Sequence, residues 1–242
     1  MPVTINCDMG ESYGLYQMGD DAGIMPYIDL ANVACGFHAS DPSVMHATVR
    51  LAKEHGVRVG AHPSLPDLQG FGRREMQMEP AELRDSVIYQ VGALKAFLDA
   101  EGMPLHHIKP HGALYGMAAK SAAVAHALCD AVAVFDVPVL GMAYTTHESV
   151  FAERGVTLVP EFYADLDYDA GGNVIATREH EAVDPEAAAQ RVQRALREQL
   201  VTTVEGKSIP VRVESICVHS DTPDAVAIAR RVHAVARAVV QG

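Results

Sequence analysis

The feature that most constrains this chain is an alternation. Short β-branched or apolar runs recur along it, each followed by a stretch with helical spacing. The runs are Val3–Cys7, Leu30–Cys35, Val57–Ala61, His106–Ile108, Val137–Leu140, Thr157–Pro160 and Arg212–Val218. Seven such runs separated by helices predict parallel strands joined by crossover helices. The helices carry start signals: Asp41-Pro42, Glu79-Pro80, Asp184-Pro185 and Thr222-Pro223 each place a polar cap before a first-turn Pro, where the missing N–H costs nothing. Gly56 and Gly102 stand where helices should stop. Between them, Leu83, Val87, Val91, Leu94 and Leu98 recur at spacings of three and four, one face of a helix.

Neither a linker nor a repeat of 20–50 residues breaks the pattern. The longest polar gap, residues 165–183, holds Gly171-Gly172 and reads as an excursion from the same domain. The expectation is one domain over residues 1–242, a seven-stranded parallel β/α barrel, with a doubly wound open sheet as the alternative. A chain of 242 residues is within the single-domain reach of β/α barrels. The turn after the first run is not G-x-G-x-x-G and there is no G-x-x-x-x-G-K-[ST], so neither nucleotide fingerprint favours the open sheet.

The residues at and just beyond the strand ends carry the chemistry. The first run leads to Asn6, Asp8 and Glu11, the second to His38, the third to His62, and the fourth to Lys109 and His111. The sixth leads to Glu161 and Asp165, and the last to His219 and Asp221. Only the fifth lacks ionisable residues of this kind, reading Gly141-Met142-Ala143-Tyr144. In a parallel barrel the carboxyl ends of the strands converge on one mouth, where sites form. Four of the twelve His therefore stand apart: His38, His62, His111 and His219. His46, His55, His126 and His233 lie in helical stretches and read as surface or packing residues. One of His106 and His107 is expected to point inward, and His147 to open a helix. Asp41 and Asp221 read equally as helix caps, and Cys7, Cys35 and Cys217 as small buried packing groups.

The formal charge of −12 argues against nucleic acid or an anionic membrane as partner, since both demand a basic face. Four separated cysteines without a C-x-x-C pair read as reduced thiols. The start, MPVTINCDMGE, has no basic segment or apolar run, which predicts neither signal peptide nor membrane anchor. A cytoplasmic protein is expected. At the mouth, one carboxylate (Asp8 or Glu11) with two or three imidazoles offers a first shell for a divalent metal, with Asp8, His38, His62 and His111 as candidate ligands. The same residues without metal offer acid–base pairs. H-x-H and H-E-x-x-H, the short metal motifs, are absent. Lys109, Arg73 and Arg74 offer positive charge for an anionic group, and the loop from Pro63 to Arg74 is a candidate lid.

The segments INCDMGE, ANVACGFHASDP, GAHPSLPDLQGFGRR, IKPHGALY and SICVHSDTP together resemble the 5-oxoprolinase A-subunit family, also called LamB/YcsF, over essentially the whole chain. The resemblance implies a barrel of the glycoside hydrolase/deacetylase type. It also implies a part in ATP-dependent cleavage of 5-oxo-L-proline to L-glutamate with partner subunits B and C. By motif, the implied site positions are Asn6, Asp8, Glu11, His38, His62, Asp67, Arg73, Lys109, His111, His219 and Asp221. Of these, Asp8, His38, His62 and His111 are candidate catalytic groups and the rest candidate substrate-binding groups. ATP is the implied co-substrate, bound here or by a partner. Ser40 and Ser220 stand where the family pattern has Gly, and Leu166 where it has Arg, which bears on the substrate more than on the fold. Two other readings fit the same mouth: a stand-alone metal-dependent hydrolase or deacetylase, and a non-catalytic ligand-binding subunit.

Overall fold

A computed structural model describes residues 3–175 and 182–241. In chain order the first half contains β1 (Thr4–Met9), α1 (Asp21–Ile24), β2 (Leu30–Ala34), α2 (Pro42–His55), β3 (Arg58–His62), α3 (Pro80–Glu101), α4 (Gly112–Lys120) and α5 (Ala122–Val132). The second half contains β4 (Val139–Gly141), α6 (Thr146–Glu153), β5 (Leu158–Tyr163), β6 (Asp167–Tyr168), β7 (Val174–Ile175), α7 (Pro185–Glu198), β8 (Leu200–Thr202), β9 (Ser208–Pro210), β10 (Ser215–His219) and α8 (Ala225–Gln241). Six strands form one parallel sheet in the order β3–β2–β1–β10–β5–β4. Helices cover it, α7 against α8 and α3 against α5.

The expected strand at His106–Ile108 does not form, which corrects the count of seven to six. Pro104 and Pro110 bracket this stretch, and Pro has no N–H to give a ladder. Only Ile108 bridges, to Ala61 on one side and Val139 on the other. Short backbone bonds support it: His106 N and Lys109 N donate to Val59 O and Ala61 O, and Ala61 N to His107 O. On the other flank Ile108 N donates to Pro138 O and Leu140 N to Ile108 O. The segment thus fills the gap between β3 and β4, and its alternation still turns His107 and Lys109 to one side.

Most helix signals act as expected. Asp41 accepts from Ser43 N and Val44 N ahead of α2, and Asp184 from Ala187 N ahead of α7. Gly56 and Gly102 close α2 and α3 in the left-handed region, φ 69° and 68°. Glu79 precedes α3 without a side-chain cap. Thr222-Pro223 does not open α8, which begins at Ala225, because the Thr222 hydroxyl donates to Asp165 Oδ2 instead. On α3, Leu83, Val87, Val91, Leu94 and Leu98 are all buried, each contributing roughly 1.5–3 kcal/mol from apolar burial.

Two antiparallel ribbons, β6–β7 and β8–β9, were not expected. The first lies in the polar excursion; residues 176–181 of that excursion lie outside the described residues. The second turns at Glu205-Gly206, with Gly206 at φ 78°, a hairpin signal hidden by the short apolar flanks. Among the described residues, no helix is long and apolar enough to cross a membrane.

Candidate functional site

Strand register sets the site. Asp8, near the end of β1, lies beside His219 of β10 and Asn32 of β2, and Ala34 of β2 beside His62 of β3. Residues 24 to 211 positions apart are thereby brought to one end of the sheet, as parallel strands allow. Gly60 makes room among them: a Cβ there would come within 2.3 Å of the His107 ring. His107, the inward member of its pair, is buried and its Nε2 sits 2.6 Å from Asn32 Oδ1.

One half of the mouth is organised around a buried lysine. Lys109 Nζ lies 3.0 Å from Asp8 Oδ1, 3.3 Å from Glu161 Oε2, 3.3 Å from Asn6 Oδ1 and 3.0 Å from Cys217 Sγ. Asn32 adds a donor to Asp8 Oδ1 at 2.8 Å. Burial alone would push the Asp8 carboxyl up, but His62, Lys109 and His219 together hold it well below the usual carboxylate range. Opposite stands His219, whose Nδ1 is 2.9 Å from Asp165 Oδ1 and whose Nε2 is 3.7 Å from Asp8 Oδ2. Burial opposes charge on this ring, yet the Asp165 carboxylate raises its pKa well above the ordinary value. The protonated ring is thus the form favoured between the Asp165 and Asp8 carboxylates. Tyr163 stacks on it at 5.7 Å between ring centroids.

The other half is a histidine cluster. His38 and His111 stack at 3.8 Å between centroids, and His62 stands edge-on to both. Glu11 Oε1 faces His38 Nε2 at 3.1 Å and His111 Nδ1 at 3.5 Å. Burial lowers the pKa of His38 and His111 well below the ordinary value, with His62 adding to the effect in the first and His38 in the second. Burial likewise raises Glu11, helped by the nearby Asp221 and Asp8 carboxylates. These buried groups offer a set that can hold a divalent metal.

The loop from Pro63 to Arg74 covers this half as a bonded structure. Gln90 of α3 clamps its base, accepting from Ser64 N at 2.9 Å and donating to Ser64 O at 2.8 Å. Phe71 packs on the edges of His38 and His111, with its backbone at φ 55°, an uncommon conformation for a bulky residue. Gly72, at φ 65°, has no space for a side chain: a Cβ would meet Ser64 Oγ at 2.3 Å and the His111 ring at 2.9 Å.

Most of the expected positions thus converge. Asn6, Asp8, Glu11, His38, His62, Lys109, His111 and His219 meet at the mouth. Arg73 and Asp221 pair at 2.8 Å beside it, so Asp221 faces the site and does not cap a helix. Arg73, Leu166, Met142 and Tyr115 line a cavity of about 80 Å³ together with Asp8 and His219. Asp67 is the exception: it is held by Arg74 and by Gly70 N within its own loop. Asn32, His107, Glu161 and Asp165 join the set without having been assigned a role from sequence. A polar residue inside the apolar run Leu30–Cys35 was the available signal for Asn32. The free cysteines are buried, though Cys217 touches Lys109 rather than only packing.

A model of the LamB/YcsF family matches residues 3–240. The chain belongs to the LamB/YcsF family. Within it, the chain is 46% identical to a lactam utilization protein lamB of Emericella nidulans, over 93% of this chain and 90% of that one. It is 46% identical to the A subunit of a 5-oxoprolinase of Chloroflexus aggregans, over 94% and 92%. The fold is shared with the crystal structure of a lactam utilization protein from Thermus thermophilus, with a TM-score of 0.91, 42% identity, and coverage of 99% and 98%.

Proposed function

We propose that the chain is a subunit of an ATP-dependent 5-oxoprolinase, opening the lactam of 5-oxo-L-proline to L-glutamate in the cytoplasm together with partner subunits B and C. In this reading residues 1–242 act as one barrel domain. The names carried by its relatives support a lactam substrate and a multi-subunit enzyme. The observation that carries the reading is the line Asp165–His219–Asp8, which sets a proton donor opposite a carboxylate in one enclosed mouth.

Ring opening of a lactam adds water to the carbonyl carbon, breaks the C–N bond and requires a proton on the departing nitrogen. His219 holds that proton, and Asp165 keeps its ring oriented with Nε2 toward the site. Asp8 Oδ2, on the side away from Lys109, orients the water and takes its proton as the new C–O bond makes that oxygen acidic. Lys109 is enclosed by its four partners, so Arg73 at the cavity wall is the better cation for the substrate carboxylate. The amide is resonance-stabilised, and phosphorylating its oxygen with ATP would make that oxygen a leaving group. Because this chain has no phosphate-binding loop motif, ATP is assigned to a partner chain.

Reconstitution tests the reading. Glutamate release coupled to ATP hydrolysis is expected only with partner chains present, and is lost in Asp8→Ala and His219→Gln. Chelator-sensitive activity of the isolated chain would favour the stand-alone hydrolase or deacetylase instead. Tight lactam binding with no turnover in any combination would favour a ligand-binding subunit.

A further inference from the structure

The histidine cluster turns ring nitrogens and a carboxylate toward one another in a buried space. His62 Nδ1 lies 2.7 Å from the Lys109 carbonyl, and His111 Nε2 lies 2.7 Å from the Phe71 carbonyl. A carbonyl oxygen only accepts, so each of these nitrogens carries its ring's hydrogen. The remaining nitrogens, His62 Nε2 and His111 Nδ1, are turned to the interior of the cluster, with Asp8 Oδ2 3.2 Å from the first. They face each other at 2.9 Å. Glu11 Oε1, an acceptor when ionised, stands 3.5 Å from the same His111 nitrogen. The third ring, His38, is fully buried and its Nδ1 has no partner.

Three ring nitrogens and a carboxylate oxygen that lie within 4.8 Å of one another in a buried space form a set of cation ligands. We propose that Glu11, His38, His62 and His111 bind one divalent transition-metal ion of the zinc, cobalt or manganese type. The donor set, three imidazoles and one carboxylate, is of borderline softness and suits these ions over magnesium or calcium. The two carbonyl bonds are the outer contacts that fix a ligating histidine's tautomer and ring orientation. The ligand set differs from that expected from sequence: Glu11 takes the place of Asp8, whose Oδ1 is held by Lys109 and Asn32 and whose Oδ2 lies 3.2 Å from His62 Nε2 at the edge of the cluster. The neighbouring trio of Asp8, Cys217 and His219 is disfavoured, because the Lys109 ammonium lies 3.0 Å from both Asp8 and Cys217 and would repel a second cation. Such an ion would place a Lewis acid beside Asp8 and His219.

The test reads metal, not turnover, so it stands or falls separately from the lactam reading. The full chain, stripped with a chelator and dialysed, is titrated with Zn²⁺ by calorimetry and with Co²⁺ by visible absorption. One ion per chain is expected, with a Co²⁺ spectrum of nitrogen and oxygen ligation. His38→Ala and Glu11→Gln should each weaken binding by about 100-fold or more, while His46→Ala, on the surface of α2, leaves it unchanged. Circular dichroism of each variant separates ligand loss from unfolding, and His111→Ala provides a second ligand variant if one fails to fold. Binding only at millimolar metal would overturn the proposal. So would stoichiometric binding that survives His38→Ala and Glu11→Gln but is lost in Asp8→Asn.

Discussion

Asp165 holds His219 twice, accepting the backbone amide at Oδ2 (2.8 Å) and facing the ring Nδ1 with Oδ1 (2.9 Å). Backbone and ring are thus fixed by one carboxylate supplied from beyond the end of β5. The pairing raises the His219 pKa, so the ring keeps its proton at pH values where a free imidazole, near 6.5, has lost it.

Asp165→Asn should therefore shift the alkaline limb of the turnover profile toward lower pH, with a fall in kcat of about 10–100-fold. The same pair makes a stability prediction. A raised pKa contributes stability fully present below about pH 6.5, and that contribution is lost as pH rises through the folded value. The stability gap between wild type and His219→Gln should accordingly narrow with increasing alkalinity. A gap that widens would contradict a protonated His219.

Lys109→Met removes the ammonium that touches both Asp8 Oδ1 and Glu161 Oε2. Breaking a buried pair by deleting one partner costs about 3–5 kcal/mol, measurable by urea unfolding at pH 7. The Asp8 pKa is depressed, so its contribution is present above about pH 3.9 and disappears as pH falls through the lower folded value. Most of the difference between wild type and variant should persist down to about pH 5. A cost near zero would show that the lysine is not charged in the fold.

Ser40 lies in the left-handed region at φ 75°, where a side chain is strained and Gly is not. This accounts for the Gly that the family pattern prefers there. Ser40→Gly should raise stability by about 0.5–1 kcal/mol, the relief of strain exceeding the added freedom of the unfolded chain. Thermal unfolding reads the sign directly. No positive φ is recorded at Ser220, whose side chain instead crowds Gly19, so the same argument does not extend to it.

Leu15 is fully exposed at the tip of a turn closed by reciprocal Tyr13–Tyr16 backbone bonds. Tyr13, Tyr16 and Leu68 are exposed nearby, an apolar group at the rim of the mouth. Leu15→Asp should leave unfolding free energy within about 0.5 kcal/mol of wild type. If this rim meets a partner subunit, its association in the reconstituted enzyme should weaken by about tenfold or more, as read by gel filtration or calorimetry.

Much of the site was legible because strand ends of a parallel sheet share one face, whatever their separation in sequence. That reasoning found Asp8, His38, His62, Lys109, His111 and His219. It missed Asn32 and His107, which sit within apolar runs and become visible only when register places Asn32 beside Asp8 and Gly60 leaves a gap for the His107 ring. It saw Asp165 without its role, since the contact to His219 spans 54 residues. Asp67, which only the family resemblance implies, is held by an arginine seven positions on. The fourth strand failed for a local reason: two prolines bracket the run, and periodicity alone does not count donors.

That stretch has a consequence for how the protein can change. Between β3 and β4, closure of the wall rests on Ile108 and a handful of backbone bonds, and on either side of Ile108 stand His107 and Lys109, with His111 two residues beyond. Scaffold and reagent are here the same short segment. A substitution that loosens this seam would displace the lysine and the histidine together, and one that retunes either side chain would slacken the seam. Lining positions outside the seam, such as Leu166 and Met142, can change without that penalty.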